Sequence, residues 1–594
     1  MHSASQLACR QNHNRLDQGR SETHGATYLS STNVPTIILT INVNPPAGTP
    51  SLLNCSWERN SYRRLSMKMP VMEGYDAVPV PVLDSTIGNT DILTRITLTF
   101  PQPLSLSYLE QSWYALVRTW PILAARIRPV PTTHSGISYY IPQPRTLETL
   151  EARSRTSSKP LEQHIALVNA SDRSIASYHP IVGKAVTGSL SQTEISLGDA
   201  PNRALQDQMT CRNACRTWKQ LLKADQAFVT AQATSFSDAT TVTISFSHVL
   251  GDAFAIKSIL QGWQDSLNGK VPPPLEDLGK DPYLDYLPPH GKNAVHKDGR
   301  TLGLPLGWTK FGLVKKMRLI SNLLWDINVK RPEKSIEQFY IYVPDEMVQQ
   351  LLAEARSDLE QLYSNKVTNA GIETQPSLPP NVSTFNVLFA WLLKNIHAAN
   401  SNPKKLSTVV TIVNAKHRPP AGREMQDYPK HQLWGGAFGV PLKPLPCSDY
   451  ASLPLGQVAL HIRESIQDQV DPENIQANVV TLLKHSLWRK PSGKLIFFAE
   501  PNHYLCGCTE WRSVKFGSID FGAAALPETN NEKAEQETVR PVAIGAHMEI
   551  PMTQRNRWAI FGDAGKGVWL SGSMTRKEAS HKDGFGRYAF VHQL

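Results

Sequence analysis

The stretch Val242–Leu267, VTISFSHVLGDAFAIKSILQGWQDSL, constrains the chain more than any other. Val242–Phe246 is apolar and β-branched, the composition of a buried strand. Ser247–Gly251 leaves room only for a tight exit. From Asp252 onward Ile256, Ile259, Leu260, Trp263 and Leu267 recur at helical spacing, and Asp252 stands where an N-cap belongs. Strand, turn and helix hold His248 at a strand end, with a carboxylate four residues on. Such an end gives rigid support to a reactive side chain.

His-x-x-x-Asp is a weak pattern on its own. With 18 histidines in the chain, about one match arises by chance. A second does occur, His13 to Asp17, in a polar stretch with no strand before it. Local sequence therefore leaves two readings of His248 open: a reactive imidazole, or a core histidine beside a helix cap.

Length sets the next bound. A chain of 594 residues is too long for one ordinary domain, and 41% apolar with 19% charged residues is a globular composition. The formal net charge is +10, but the basic residues are dispersed, without a Lys/Arg tract or zinc-finger spacing, which argues against nucleic acid as a partner. The seven cysteines (Cys9, Cys55, Cys211, Cys215, Cys447, Cys506, Cys508) are odd in number and contain no Cys-x-x-Cys, so neither a disulfide framework nor a zinc site is expected. No further ligands cluster around His248 and Asp252, and no metal is expected there. The N-terminus lacks an apolar signal core, and no run of about 18 apolar residues occurs. The expected compartment is the cytoplasm.

Along the chain, residues 1–70 are rich in Ser, Asn and Thr and read as a poorly structured extension. Strands are expected at Val78–Leu83 and Ile92–Phe100, a helix at Ser107–Thr119, and paired strands at Phe228–Phe236 and Val242–Phe246. The Pro-rich run after Gly269 suits a connection over 270–335 between one domain at 71–269 and another at 336–594. In the second, a strand is expected at Gln338–Val343 and helices at Asp345–Arg356, Ser383–Ile396 and Leu455–Val470. Further strands are expected at Ser407–Val413, Leu495–Phe498, Ile519–Phe521, Val542–Ile550 and Trp558–Leu570, with a surface loop at Glu528–Glu537. Alternation of helices and strands in both halves makes the class α/β.

Several short features, in order, carry a resemblance. They are Leu83-Asp84, Trp120–Arg126, His248–Asp252, Ser383–Asn386, Asn414–Arg418, Thr509-Glu510-Trp511 and Asp520-Phe521-Gly522. From about Val78 to the C-terminus the chain resembles a BAHD-type acyl-CoA-dependent acyltransferase, of the branch that includes fungal trichothecene acetyltransferases. The resemblance implies two chloramphenicol-acetyltransferase-like domains, mixed sheets flanked by helices, a tunnel between the domains, and a monomer. It implies an O-acyltransferase that moves an acyl group, commonly acetyl, from acyl-CoA as co-substrate to a hydroxylated secondary metabolite, with no permanently bound cofactor.

The resemblance also implies roles. His248 is the general base, a task that an imidazole with a pKa near 6.5 suits. Thr509 and Trp511 are oxyanion donors. Asp252 and Gly251 shape the loop, Asp252 pairing with Lys416 or Arg418, where the family commonly has two arginines. Asp520 and Gly522 belong to a motif shaping the coenzyme region. Where the family has Asp-Phe-Gly-Trp-Gly, this chain has Ala523 and Ala524 at the last two positions. Ser383 and Thr384 approach the coenzyme, although helix capping explains them equally well. Two other readings remain: a condensation-type domain using carrier-bound acyl groups, which usually has a histidine where this chain has Ser247, and a non-catalytic relative that binds CoA or a small molecule.

Overall fold

Leu93–Phe100 shows why the first sheet forms. Its residues alternate, with Ile96, Leu98 and Phe100 on one face and Arg95, Thr97 and Thr99 on the other. The computed structural model describes residues 72–591 except 157–163, 202, 213, 224, 288–302, 371–379, 401, 420–423, 425, 427, 489–494, 527–537 and 550–554. The expectations for residues 1–70, for His13 to Asp17 and for the loop at Glu528–Glu537 lie outside the described residues.

In chain order the elements used below begin with β1 (Tyr75–Pro79), β2 (Leu93–Phe100), α1 (Leu106–Thr119), β3 (Arg126–Pro129), β4 (Ile137–Pro142), β5 (Ile165–Ala170), β6 (Ser196–Asp199), β7 (Val229–Phe236), β8 (Thr240–Ser247), α2 (Ala253–Leu267) and α3 (Leu313–Trp325). They continue with β9 (Ile336–Pro344), α4 (Asp345–Ala370), α5 (Thr384–Ala398), β10 (Leu406–Asn414), β11 (Ala437–Pro441), α6 (Leu455–Gln469), α7 (Pro472–His485), β12 (Tyr504–Glu510), β13 (Ala543–Glu549), β14 (Arg557–Ala564), β15 (Gly567–Thr575) and β16 (Ala589–Val591).

Two large mixed sheets carry the fold. The first runs β13-β2-β8-β7-β5 and the second β11-β10-β12-β14-β15-β9-β6-β16. Two strands cross the division drawn from sequence at 270–335. β13, from the second half, pairs antiparallel with β2, His547 opposite Arg95 and Gly545 opposite Thr97. β6, from the first half, pairs antiparallel with β9. Gly545 permits the crossing, because a Cβ there would collide with the Tyr340 hydroxyl.

The apolar face of the first sheet shares one core with α1 and α2: Ile96, Leu98 and Phe100 join Leu109, Trp113 and Leu116, and Ile256, Ile259 and Trp263. Trp113 meets Trp263 edge-on at 4.7 Å between centroids, and the Trp263 indole N–H donates to Ser112 Oγ at 2.9 Å. A second core packs α4, α5 and α6 against β9, β14 and β15.

Several expectations need correcting. Val78–Leu83 is not a strand, since β1 ends at Pro79 and Pro81 begins a turn closed by Asp84 N–H to Pro81 O at 3.1 Å. The helix expected to end at Arg356 runs on to Ala370. The connection holds helix α3, and α7 follows α6 without having been expected. Ile519–Phe521 forms no strand: 3₁₀ turns flank it at Phe516–Ser518 and Gly522–Ala524, and Asp520 Oδ1 takes the Gly522 and Val539 amides at 2.9 Å each. A side chain bonding nearby amides competes with a strand ladder. Trp558–Leu570 is a hairpin, turning at Gly565 (φ 64°).

Trp263→Ala removes the ring that locks α1 to α2, and should cost about 3–5 kcal/mol in denaturant unfolding. Trp325→Ala, on an exposed face of α3, should shift stability by no more than about 0.5 kcal/mol.

Candidate active site

His248 is clamped from both sides. Its amide N–H donates to Ile92 O at 3.0 Å, extending the β2–β8 ladder by one rung, and its own carbonyl accepts from the Gly251 N–H at 3.2 Å. Gly251 has φ of 151°, and a Cβ there would sit 2.8 Å from Leu433 O, so only glycine fits the turn. Asp252 then caps α2, its Oδ1 accepting from the Phe254 N–H at 3.0 Å.

The Asp252 carboxylate is bonded to the second half of the chain. Asn414 Nδ2 donates to Oδ2 at 2.7 Å, and Lys416 Nζ lies 3.4 Å from Oδ1. Lys416 is buried; its ammonium also donates to Gln432 O at 3.0 Å and lies 5.0 Å from the centre of the Trp434 ring. Arg418, the alternative partner, is exposed. The pairing question is thus answered in favour of Lys416, assisted by Asn414.

A second buried carboxylate, Asp84, feels the same lysine. Asp84 Oδ2 accepts from the Gly435 N–H at 2.9 Å, and a Cβ on Gly435 would strike Oδ1 of Asp84. Burial pushes the Asp84 carboxyl well above the ordinary carboxylate range; the Gly435 amide and Lys416 pull it down, and Asp252 pushes it up. One ammonium thus acts on two buried acids.

Burial lowers the His248 pKa from 6.5. Asp252 and the residue's own backbone carbonyl oppose that shift, and Lys416 adds to it. Nδ1 is buried and has no hydrogen-bond partner from another residue. The ring is therefore neutral at neutral pH.

The remaining candidates lie in the second half of the chain. Thr509 sits near the end of β12, opposite Ala559 of β14, and the Trp511 N–H continues the ladder to Ile560 O at 2.8 Å. Trp511 packs at 5.4 Å from Phe561 and 6.2 Å from Phe516. The chain then folds back over α2. Lys257 Nζ donates to Lys515 O (2.9 Å) and Ser518 Oγ (2.7 Å), and Gln264 Oε1 accepts from the Asp520 N–H at 2.8 Å. Phe521 stacks on Phe100 at 5.0 Å. Ala524 is buried, and its carbonyl accepts from Ser105 N–H at 2.7 Å, so the turn is intact with alanine in the last two positions. Ser383 caps α5 in a reciprocal box with Asn386, leaving Thr384 as the first helical residue.

Sequence reasoning missed Asn414 as a partner of Asp252, and Lys257 and Gln264 as ties. The one signal available was the Gly435-Gly436 pair, which marks a close backbone approach. Another missed residue is His179, whose two ring nitrogens are buried without partners and whose pKa is pushed by burial to about 3. It lines a cavity with Arg95, Thr97, Thr99, Gln206 and Thr241 on the polar face of the first sheet. Among the described residues, no group of three or more His, Cys, Asp or Glu is arranged to hold a metal ion.

The architecture has a solved counterpart. The chain superposes on Fusarium graminearum TRI101 complexed with coenzyme A and deoxynivalenol with a TM-score of 0.55 at 12% identity, over 86% of this chain and 99% of that one. This defines the fold: α/β, with two chloramphenicol-acetyltransferase-like domains. Two curated relatives are far nearer in sequence. Acetyltransferase MATC1 of Mycosarcoma maydis is 59% identical over 531 residues, covering 88% of this chain and 98% of the relative. Acetyltransferase MAT1 of Pseudozyma antarctica is 58% identical over 527 residues, covering 88% and 99%. No family model matches the chain. The chain belongs to the BAHD-type acyl-CoA-dependent acyltransferases and is an acyltransferase.

Lys416→Ala strands two buried acids. It should destabilise the fold by about 3–5 kcal/mol in chemical denaturation, whereas Arg418→Ala should change stability by no more than about 0.5 kcal/mol.

Proposed function

We propose that this enzyme transfers an acetyl group from acetyl-CoA directly to a hydroxyl of a secondary metabolite, with His248 as the base. The observation that carries the reading is a neutral imidazole at a rigid strand end, beside a carboxylate already held by Asn414, Lys416 and the α2 cap. Asp252 therefore acts as a brace. With Nδ1 buried, Nε2 is the nitrogen that serves the acceptor.

The steps balance without an acyl-enzyme. Nε2 takes the hydroxyl proton as the acceptor oxygen bonds to the thioester carbon. The carbonyl π electrons move to oxygen, where the Thr509 hydroxyl and Trp511 indole N–H are the assigned donors. Collapse re-forms the carbonyl and breaks the carbon–sulfur bond, and the departing thiolate receives the proton from the imidazolium. For the coenzyme, the Asp520–Ala524 turn shapes the approach. Because Ser383 is engaged in its cap, contact at the start of α5 falls to Thr384. The enzyme works as a monomer with CoA as co-substrate and no permanent cofactor. The odd cysteine count without a Cys-x-x-Cys supports a reducing compartment, the cytoplasm.

The test follows free thiol and ester product with a panel of acyl-CoAs and alcohols. His248→Ala should lower the rate by about 10²–10⁴-fold with CoA binding retained. Turnover unaffected by the substitution would exclude His248 as base. For the wild type, kcat/KM should rise with pH through an apparent pKa below 6.5 and then level, because burial favours the neutral ring; a limb above 6.5 would contradict it.

A further inference from the structure

We propose that the outer face of α3 docks this enzyme onto an anionic lipid surface. The helix lies across the protein as a strap, and none of its residues is buried. Three ties hold its inner edge: Lys315 to Glu500 at 2.7 Å, Asn322 Nδ2 to Pro501 O at 2.7 Å, and Asp326, just past its end, to Arg555 at 2.7 Å. At 100° per residue these three share one side. Turned away from them are Leu313, Met317 and Leu324, with Val314 and Trp325 on one flank, all exposed, with Val314 at 80% and Trp325 at 63%. Exposure of this much contiguous apolar side chain marks an interaction surface.

Charge and size choose the partner. No acidic residue lies between Gly312 and Trp325, whereas residues 309–334 carry seven Lys or Arg against two Asp or Glu. Arg318 is exposed at the edge of the outer face, and Lys330 follows on the exit turn. An apolar face with tryptophan, edged by basic side chains, is the pattern of a helix lying in a membrane interface. The helix is about 20 Å long and about 10 Å wide, roughly 200 Å² of face, well short of the about 800 Å² per partner that a stable dimer buries. Among the described residues no helix is long and apolar enough to cross a membrane, so attachment is to the surface.

Flotation of the full-length protein with extruded vesicles tests this. It should float with phosphatidylcholine–phosphatidylserine vesicles and not with phosphatidylcholine alone, and added salt should release it. Arg318→Glu should lower partitioning by about an order of magnitude, and the double variant Val314→Ser, Trp325→Ser should abolish it, both with an unchanged melting temperature. No flotation, equal flotation with neutral vesicles, or flotation indifferent to these variants overturns the proposal. A dimer in sedimentation equilibrium that the double variant dissolves also overturns it, in favour of a second copy of the chain.

Discussion

The structure around the imidazole depends on one buried ammonium. Lys416 is buried, so its charge must be answered by Asp252 and the Gln432 carbonyl, and it acts in turn on Asp84. Those groups come from four separated parts of the chain: the turn after β1, the start of α2, the exit from β10 and the loop before β11. Satisfying one charge therefore fixes the relative position of all four. Lysine suffices where two arginines are the rule because Asn414 supplies the second donor to Asp252. Net gain in stability from such a buried pair is small, but leaving it half made is costly; its consequence is a unique loop geometry.

Two further devices carry that geometry across the molecule. β13 and β6 exchange between the sheets, so neither sheet is complete without the other half of the chain. α2 is the second. Its first turn caps with Asp252, its flank holds Lys515 and Ser518 through Lys257, and Gln264 holds Asp520. The strand end bearing His248 and the segment following Trp511 are thus tied to one rigid rod.

Features written within a few residues were legible in the sequence. The Val242–Leu267 unit, the Asp252 cap, a helix cap at Ser383 and the apolar stripe of α2 depend on local spacing, and the structure has each of them. What depends on partners far along the chain was not. Nothing local in Ala543–Glu549 says that it pairs with β2. Isoleucine and phenylalanine at 519 and 521 suggest a strand until Asp520 is seen to take two amides. Near Asp252, two basic residues drew attention from Asn414, a neutral side chain whose importance comes only from where β10 ends. α3 was passed over because prolines precede it, although LVKKMRLISNLLW has a helical stripe of its own.

The central claim is that Asp252 braces and His248 reacts. Asp252→Asn separates the two roles: stability, kcat per folded molecule and the pH limb are measured on one preparation. The account predicts a lower unfolding midpoint, because Lys416 loses its charged partner, with kcat per folded molecule within about tenfold of wild type and the limb retained. A kcat collapse like that of His248→Ala, with stability unchanged, would make Asp252 part of the chemistry and contradict the account.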